Sequence, residues 1–357
     1  MRRIFMVAAA LAALPVSGGV SRAPAGEADA AVTIDHGGLK RSYLMHVPVK
    51  APPQGGYPVV VILHGGGGQA DSMVKLARLD PLADARGFIA VYPNGIGKHW
   101  NDGRATVKSK VDDVGFIGAV LDDVGGRHPV DRGRIFVTGM SNGAMMAHRL
   151  GCDMSDRIAA VAAVAGMLAA DYAAVCDPRH AVALLQISGD ADPIVPYGGG
   201  KVEDFGGRGQ GGIVLSANDS AKFWAEKNRC GTMTVRNNAA ATKRAESTST
   251  VATDYRACPL SAPVRLVSVV GGGHSWPGGP QYAPVFLIGK TNRDMDASRT
   301  IVEFFLALRH VPLPSPGELR SDTLGSCGMQ SVHRIVSTSV HRPVATGPGE
   351  YPQKGDA

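Results

Sequence analysis

Aromatic residues make up only 6% of this 357-residue chain and charged residues only 19%. Lys and Arg outnumber Asp and Glu by 37 to 31, yet no run of basic residues exceeds two. A formal charge of +6 scattered in this way forms no phosphate-binding stripe, so nucleic acid is not an expected partner. The five cysteines include no Cys-x-x-Cys pair and no Cys/His cluster with zinc spacing, so no metal ligand is expected. The glycine-rich stretch Gly198–Gly212 lacks a Gly-Lys-Ser/Thr ending, which makes it a surface loop rather than a phosphate cradle. The apolar run Ile4–Leu14 is too short to span a bilayer, so no membrane span is expected. These absences leave no expected metal or organic cofactor.

What is present is enough for a large core: 44% of the residues are hydrophobic. Arg2 and Arg3, the apolar run and then Pro15, Gly18 and Gly19 have the layout of a signal peptide over residues 1–30. Ala28-Asp29-Ala30 fits a cleavage site and Ala23-Pro24-Ala25 competes with it, leaving the boundary open. The mature protein is therefore expected to be secreted or periplasmic. Cysteines in an exported chain favour disulfides. Sequential pairing would join Cys152 to Cys176 and Cys230 to Cys258 and leave Cys327 over, one of fifteen possible arrangements of two bridges. After His310 the composition turns to Pro, Ser, Gly and Thr, so residues 311–357 are expected to be a disordered tail.

Between these ends, residues 31–310 alternate short apolar runs with longer mixed segments, the rhythm of an α/β domain with a mostly parallel sheet and helices on both faces. Val32–Val47 reads as an antiparallel hairpin turning at His36-Gly37-Gly38. Core strands are expected at Pro58–Leu63, Phe88–Tyr92, Ile135–Thr138, Ile158–Val164, Val182–Ser188 and Val264–Val270. Helices are expected at Asp113–Val124, Asn142–Leu150, Ala217–Asn228 and Ala297–Arg309, the last capped by Asp294 or Asp296.

Within this rhythm, Gly139-Met140-Ser141-Asn142-Gly143 stands between a strand and a helix, the context in which a sharp turn lifts a serine hydroxyl above a sheet edge. The strand ending at Ser188 is followed by a loop with two carboxylates, Asp190 and Asp192. The strand ending at Val270 runs into Gly271-Gly272-Gly273-His274. Serine, acid and histidine in this chain order, each beyond a strand end, fit nucleophile, orienting acid and general base in acyl transfer. Upstream, the strand ending at Leu63 runs into His64-Gly65-Gly66-Gly67-Gly68. Such a loop can aim backbone N–H groups at a developing oxyanion, here Gly66, with Gly65 as a further candidate, together with Asn142 after the nucleophile.

Six stretches together resemble the polyhydroxybutyrate depolymerase-like esterases, a secreted group that includes feruloyl and acetylxylan esterases. They are Leu63–Gly68, Trp100-Asn101-Asp102-Gly103-Arg104, Val111–Phe116, Gly139–Ala144, Asp192-Pro193-Ile194-Val195-Pro196-Tyr197 and Gly272-Gly273-His274-Ser275-Trp276-Pro277-Gly278. The resemblance implies the α/β-hydrolase fold, selects Asp192 over Asp190 as the acid, and places Trp100, Asn101 and Trp276 near the substrate mouth. It departs from the family at Ser188, where members often carry histidine, and in the tail after His310. The expected function is a serine carboxylic-ester hydrolase working through an acyl-enzyme on polyhydroxyalkanoate-type oligoesters or polymer. The alternative is a feruloyl or acetylxylan esterase on plant polysaccharide. Acyl transfer to a sugar and a noncatalytic binding module are the remaining readings. No obligate protein partner is implied.

Overall fold

A computed structural model of the protein describes residues 30–204, 210–237 and 248–308. The expected signal segment up to Asp29, the expected tail and Cys327 lie outside the described residues. All described residues belong to one compact unit.

In chain order the strands are β1 (Ala30–His36), β2 (Leu39–His46), β3 (Tyr57–Leu63), β4 (Ile89–Pro93), β5 (Val130–Met140), β6 (Ala160–Val164), β7 (Ala183–Gly189), β8 (Gly200–Lys201), β9 (Ile213–Val214), β10 (Met233–Asn237), β11 (Ser249–Tyr255) and β12 (Val264–Val270). The helices are α1 (Ala70–Ala77), α2 (Asp80–Arg86), α3 (Asp113–Arg127), α4 (Asn142–Asp153), α5 (Ala170–Ala173), α6 (Ala217–Lys227), α7 (Val285–Ile288) and α8 (Ala297–Ala307). Ten strands form one sheet in the order β1-β2-β4-β3-β5-β6-β7-β12-β11-β10. Its centre, β4-β3-β5-β6-β7-β12, is parallel throughout. Antiparallel pairs close both edges, β1-β2 beside β4 and β11-β10 beside β12.

The strand sequences explain this placement. Every residue of β3, Tyr-Pro-Val-Val-Val-Ile-Leu, is buried, as a strand covered on both faces must be. Val59, Val61 and Leu63 face one hydrophobic cluster, which takes Phe116 and Val120 from α3, Met145 and Leu150 from α4 and Trp224 from α6. Val60 and Ile62 face the other, with Met73 from α1, Ala83 from α2 and Ile301 and Phe305 from α8. Each fully buried Val, Leu, Ile or Phe is worth about 1.5–3 kcal/mol of transfer free energy, so these two layers carry the fold.

Several boundaries differ from the sequence reading. The strand before Ser141 begins five residues earlier than Ile135, at Val130. Helices α1 and α2 and the edge strands β10 and β11 were not anticipated. Of the two aspartates before α8, Asp296 is the cap: its side chain accepts from the Arg299 N–H at 3.0 Å. The Gly198–Gly212 stretch is not wholly surface loop: Gly200–Lys201 pairs with Ile213–Val214, and Val202 is buried. Disulfides join Cys152, in α4, to Cys176, and Cys230 to Cys258.

Candidate active site

Ser141 occupies the turn between β5 and α4 with φ 56° and ψ −122°. That region is sparsely populated for a non-glycine residue, costs about 1–3 kcal/mol, and persists only where its surroundings impose it. Here the Ser141 N–H is held by the Val164 carbonyl at 2.9 Å. The flanking glycines are required by close approach. A Cβ on Gly139 would lie 2.6 Å from the Gly143 carbonyl, and one on Gly143 would lie 2.5 Å from both the Leu63 and His64 carbonyl oxygens. Helix α4 thus meets the end of β3 with no room for a methyl group. Gly143→Ala should therefore push α4 away from the glycine loop, costing about 1–3 kcal/mol in overpacking. Activity per folded molecule should fall about a hundredfold, because small displacements near reacting groups are that costly. Thermal melts alongside kcat per titrated site would check both effects, and an unchanged kcat would contradict the second.

The acid and histidine come from the neighbouring strand ends. Asp192 Oδ1 accepts from the Ile194 and Val195 N–H groups at 2.8 and 2.9 Å, which leaves Oδ2 to meet His274 Nδ1 at 2.8 Å. A carboxylate only accepts, so Nδ1 donates to it, and in the neutral imidazole the lone pair then stands on Nε2. Both side chains are buried. The loop bearing His274 is fixed by its own N–H to the Ile288 carbonyl at 2.6 Å, and its carbonyl accepts from the Tyr282 hydroxyl at 2.8 Å. Asp190 does something else: its Oδ1 accepts from the Gly271 N–H at 2.6 Å and so shapes the turn into that loop.

Ser141, His274, Gly65, Gly66 and Asn142 line one cavity of about 490 Å³. Its walls are largely apolar, with Met73, Leu76, Met145, Ile194, Val202 and Ile288 among the lining residues. Among the described residues, the Gly66 and Asn142 N–H groups have no backbone acceptor outside helices and strands. Several contacts fix the glycine loop. Gly95 N–H donates to His64 Nε2 at 3.0 Å, so the His64 proton sits on Nδ1, which donates to the Gly65 carbonyl at 2.8 Å. The Gly68 N–H reaches the same oxygen at 3.0 Å. A trans peptide points its N–H opposite to its carbonyl, so the Gly66 N–H is directed away from His64.

Burial drives the His64 pKa down to about 4, and the fully buried His148, held between Gln186 and the Trp224 indole N–H, is likewise driven down by burial to about 4. Both are neutral in the folded protein above that value, whereas in the unfolded chain a histidine binds its proton near pH 6.5. Their contribution is therefore full above about pH 6.5 and is lost as pH falls towards 4, up to about 3 kcal/mol each. Urea midpoints measured from pH 7 to pH 4 should fall with proton uptake on unfolding. A flat profile would contradict this.

The three residues expected near the substrate mouth are not among those that line the cavity. Trp100 is 0% exposed, with its indole N–H on the His64 carbonyl at 2.9 Å. Asn101 pins its own loop, its N–H on Asp113 at 2.7 Å and its amide on the Val111 carbonyl at 3.1 Å. Trp276 is 1% exposed and donates to the Ser298 hydroxyl at 2.9 Å, tying the loop after His274 to α8. None lines the cavity, because the protein interior supplies each of these polar groups with a partner and the rings with apolar neighbours.

Sequence reasoning missed Asp102 and Arg104, which form a fully buried ion pair at 2.7 Å. Arg104 also lines the cavity and donates to the Gly211 carbonyl, and Asp102 accepts from the Asn142 side-chain amide at 2.6 Å. The one available signal was the Trp-Asn-Asp-Gly-Arg string itself. The cavity residues from α1 and from Tyr282–Ile288 carried none.

A family model described as "Esterase PHB depolymerase" matches residues 41–196. Over 281 residues the chain is 32% identical to "Putative esterase NocK" of Nocardia uniformis subsp. tsuyamanensis, covering 75% of this chain and 80% of that protein. It is 30% identical over 165 residues to feruloyl esterase C of Emericella nidulans, covering 45% of this chain and 58% of the relative. Among solved structures, an acetyl xylan esterase from Aspergillus awamori aligns with 66% of this chain and 89% of its own at 16% identity and a TM-score of 0.49. A sheet with a parallel centre, covered by helices on both faces, carries the α/β-hydrolase fold, and with these sequence relationships the chain belongs to the polyhydroxybutyrate depolymerase-like esterase family as a carboxylic-ester hydrolase.

Proposed function

We propose that Ser141, His274 and Asp192 are the nucleophile, general base and orienting acid of an acyl-enzyme mechanism. The Ser141 hydroxyl oxygen attacks the ester carbonyl carbon while His274 Nε2 takes its proton, and Asp192 stabilises the imidazolium that forms. The Gly66 and Asn142 N–H groups stabilise the oxyanion, each donor being worth about a hundred- to a thousandfold in turnover. Collapse of the tetrahedral intermediate expels the alcohol, which receives the proton from His274. Water then attacks the acyl-enzyme by the same route and releases the acid.

The observation that carries this reading is the Asp192–His274 bond at 2.8 Å together with the strained Ser141 turn, serine and histidine lining one cavity. The substrate we assign is a hydroxyalkanoate oligoester, on the family match over residues 41–196 and on apolar walls suited to short aliphatic acyl units. A feruloyl ester is the second reading, favoured by relatives named feruloyl esterases. Hydroxybutyrate oligomers, methyl ferulate and acetylated xylan compared by kcat/KM decide between them. The first should exceed the other two at least tenfold, and a reversed order would overturn the assignment. An extracytoplasmic location fits the two disulfides and the charged, apolar amino-terminal layout.

A further inference from the structure

The two proposed oxyanion donors belong to different segments: Gly66 to the loop after β3, Asn142 to the first turn of α4. Stabilising an oxyanion needs both N–H groups at hydrogen-bond distance from one point, so their separation has to be fixed. Sheet pairing between β3 and β5 ends at Leu63 and Gly139, before either donor. Beyond the sheet, Gly143 packs against the Leu63 and His64 carbonyls, and side-chain hydrogen bonds add the directional contacts between the two segments.

Trp100 touches both. Its indole N–H donates to the His64 carbonyl at 2.9 Å. Its backbone N–H donates to Asn142 Oδ1 at 2.8 Å, and its carbonyl accepts from Asn142 Nδ2 at 3.1 Å. The ring also packs against the His64 imidazole, 4.8 Å between centroids. His64 in turn fixes the Gly65 carbonyl, and with it the direction of the Gly66 N–H. The Asn142 amide is backed by Asp102, whose charge Arg104 balances.

We infer that Trp100 is a positioning residue: a buried strut that sets the distance between the Gly66 and Asn142 N–H groups and so tunes the oxyanion hole without touching substrate. This inference rests on the proposed acyl-enzyme mechanism. Both acylation and deacylation pass through an oxyanion, so loosening the strut slows both and leaves ground-state binding little changed.

The test is Trp100→Phe, which keeps an aromatic ring and removes the indole N–H. On p-nitrophenyl butyrate, kcat per titrated site should fall at least about tenfold with KM within about threefold. The affinity of butaneboronic acid, which forms a tetrahedral adduct on serine with an oxygen placed as the oxyanion, should fall by a similar factor. A role in packing alone would lower the melting temperature and leave kcat per titrated site and boronate affinity within twofold of wild type, and that result overturns the inference. If Trp100→Phe does not fold, benzothienylalanine incorporated at position 100 preserves the ring shape without the N–H, and the same criteria apply. Boronate binding to the wild-type protein that survives Ser141→Ala would instead overturn the underlying mechanism.

Discussion

Ser141→Ala should lower kcat for p-nitrophenyl butyrate by about a millionfold, to the residual rate that oxyanion stabilisation and binding sustain. No other hydroxyl stands in the turn between β5 and α4, and alanine adds no bulk beside Gly139, Gly143 or the Val164 carbonyl that holds the turn. The substitution removes one oxygen from a half-buried position, so the fold and substrate binding should be preserved. Retained folding with lost turnover separates a nucleophile from a structural serine. Turnover within tenfold of wild type would remove Ser141 from the mechanism.

Asp192→Asn should lower kcat by about ten-thousandfold, because an amide presented to His274 Nδ1 favours the imidazole tautomer whose proton is on Nε2 and whose lone pair no longer faces the serine. Asp190→Asn is the contrast. Its carboxylate accepts the Gly271 N–H and, among the described residues, has no hydrogen bond to a histidine, so activity should stay within a few-fold of wild type. The ratio of the two effects, measured at one pH with titrated sites, tests the assignment of the acid. Equal losses would mean that the loop, and not the Asp192–His274 pair, carries the effect.

The centre of the sheet was legible because strands buried on both faces must be continuous apolar runs, and β12 was read at its observed limits, Val264–Val270. The edges were not. β11, Ser-Thr-Val-Ala-Thr-Asp-Tyr, is half-buried and polar enough to pass for loop, and α1 buries only Ala70, Met73 and Ala77, two of them too small to mark a helix face. Motif reading singled out Ser141 and His274, which line the cavity, and Asp192, which meets His274, because each stands just beyond a strand end in the order serine, acid, histidine. It gave no sign that Trp100 and Trp276 are buried with their N–H groups satisfied, since nothing in a linear sequence distinguishes such an indole from one that meets a ligand. The same limit hid Asp102 and Arg104, a charged pair that spacing alone would leave on the surface.

Covalent trapping tests the central claim most directly. Protein incubated with a p-nitrophenyl alkylphosphonate, then digested and analysed by mass spectrometry, should carry one phosphonyl group on the peptide containing Ser141, with activity lost in proportion to labelling. In His274→Ala the rate of labelling should fall by several powers of ten. Full inactivation with the label on another residue, or full labelling of Ser141 with activity intact, would contradict the account.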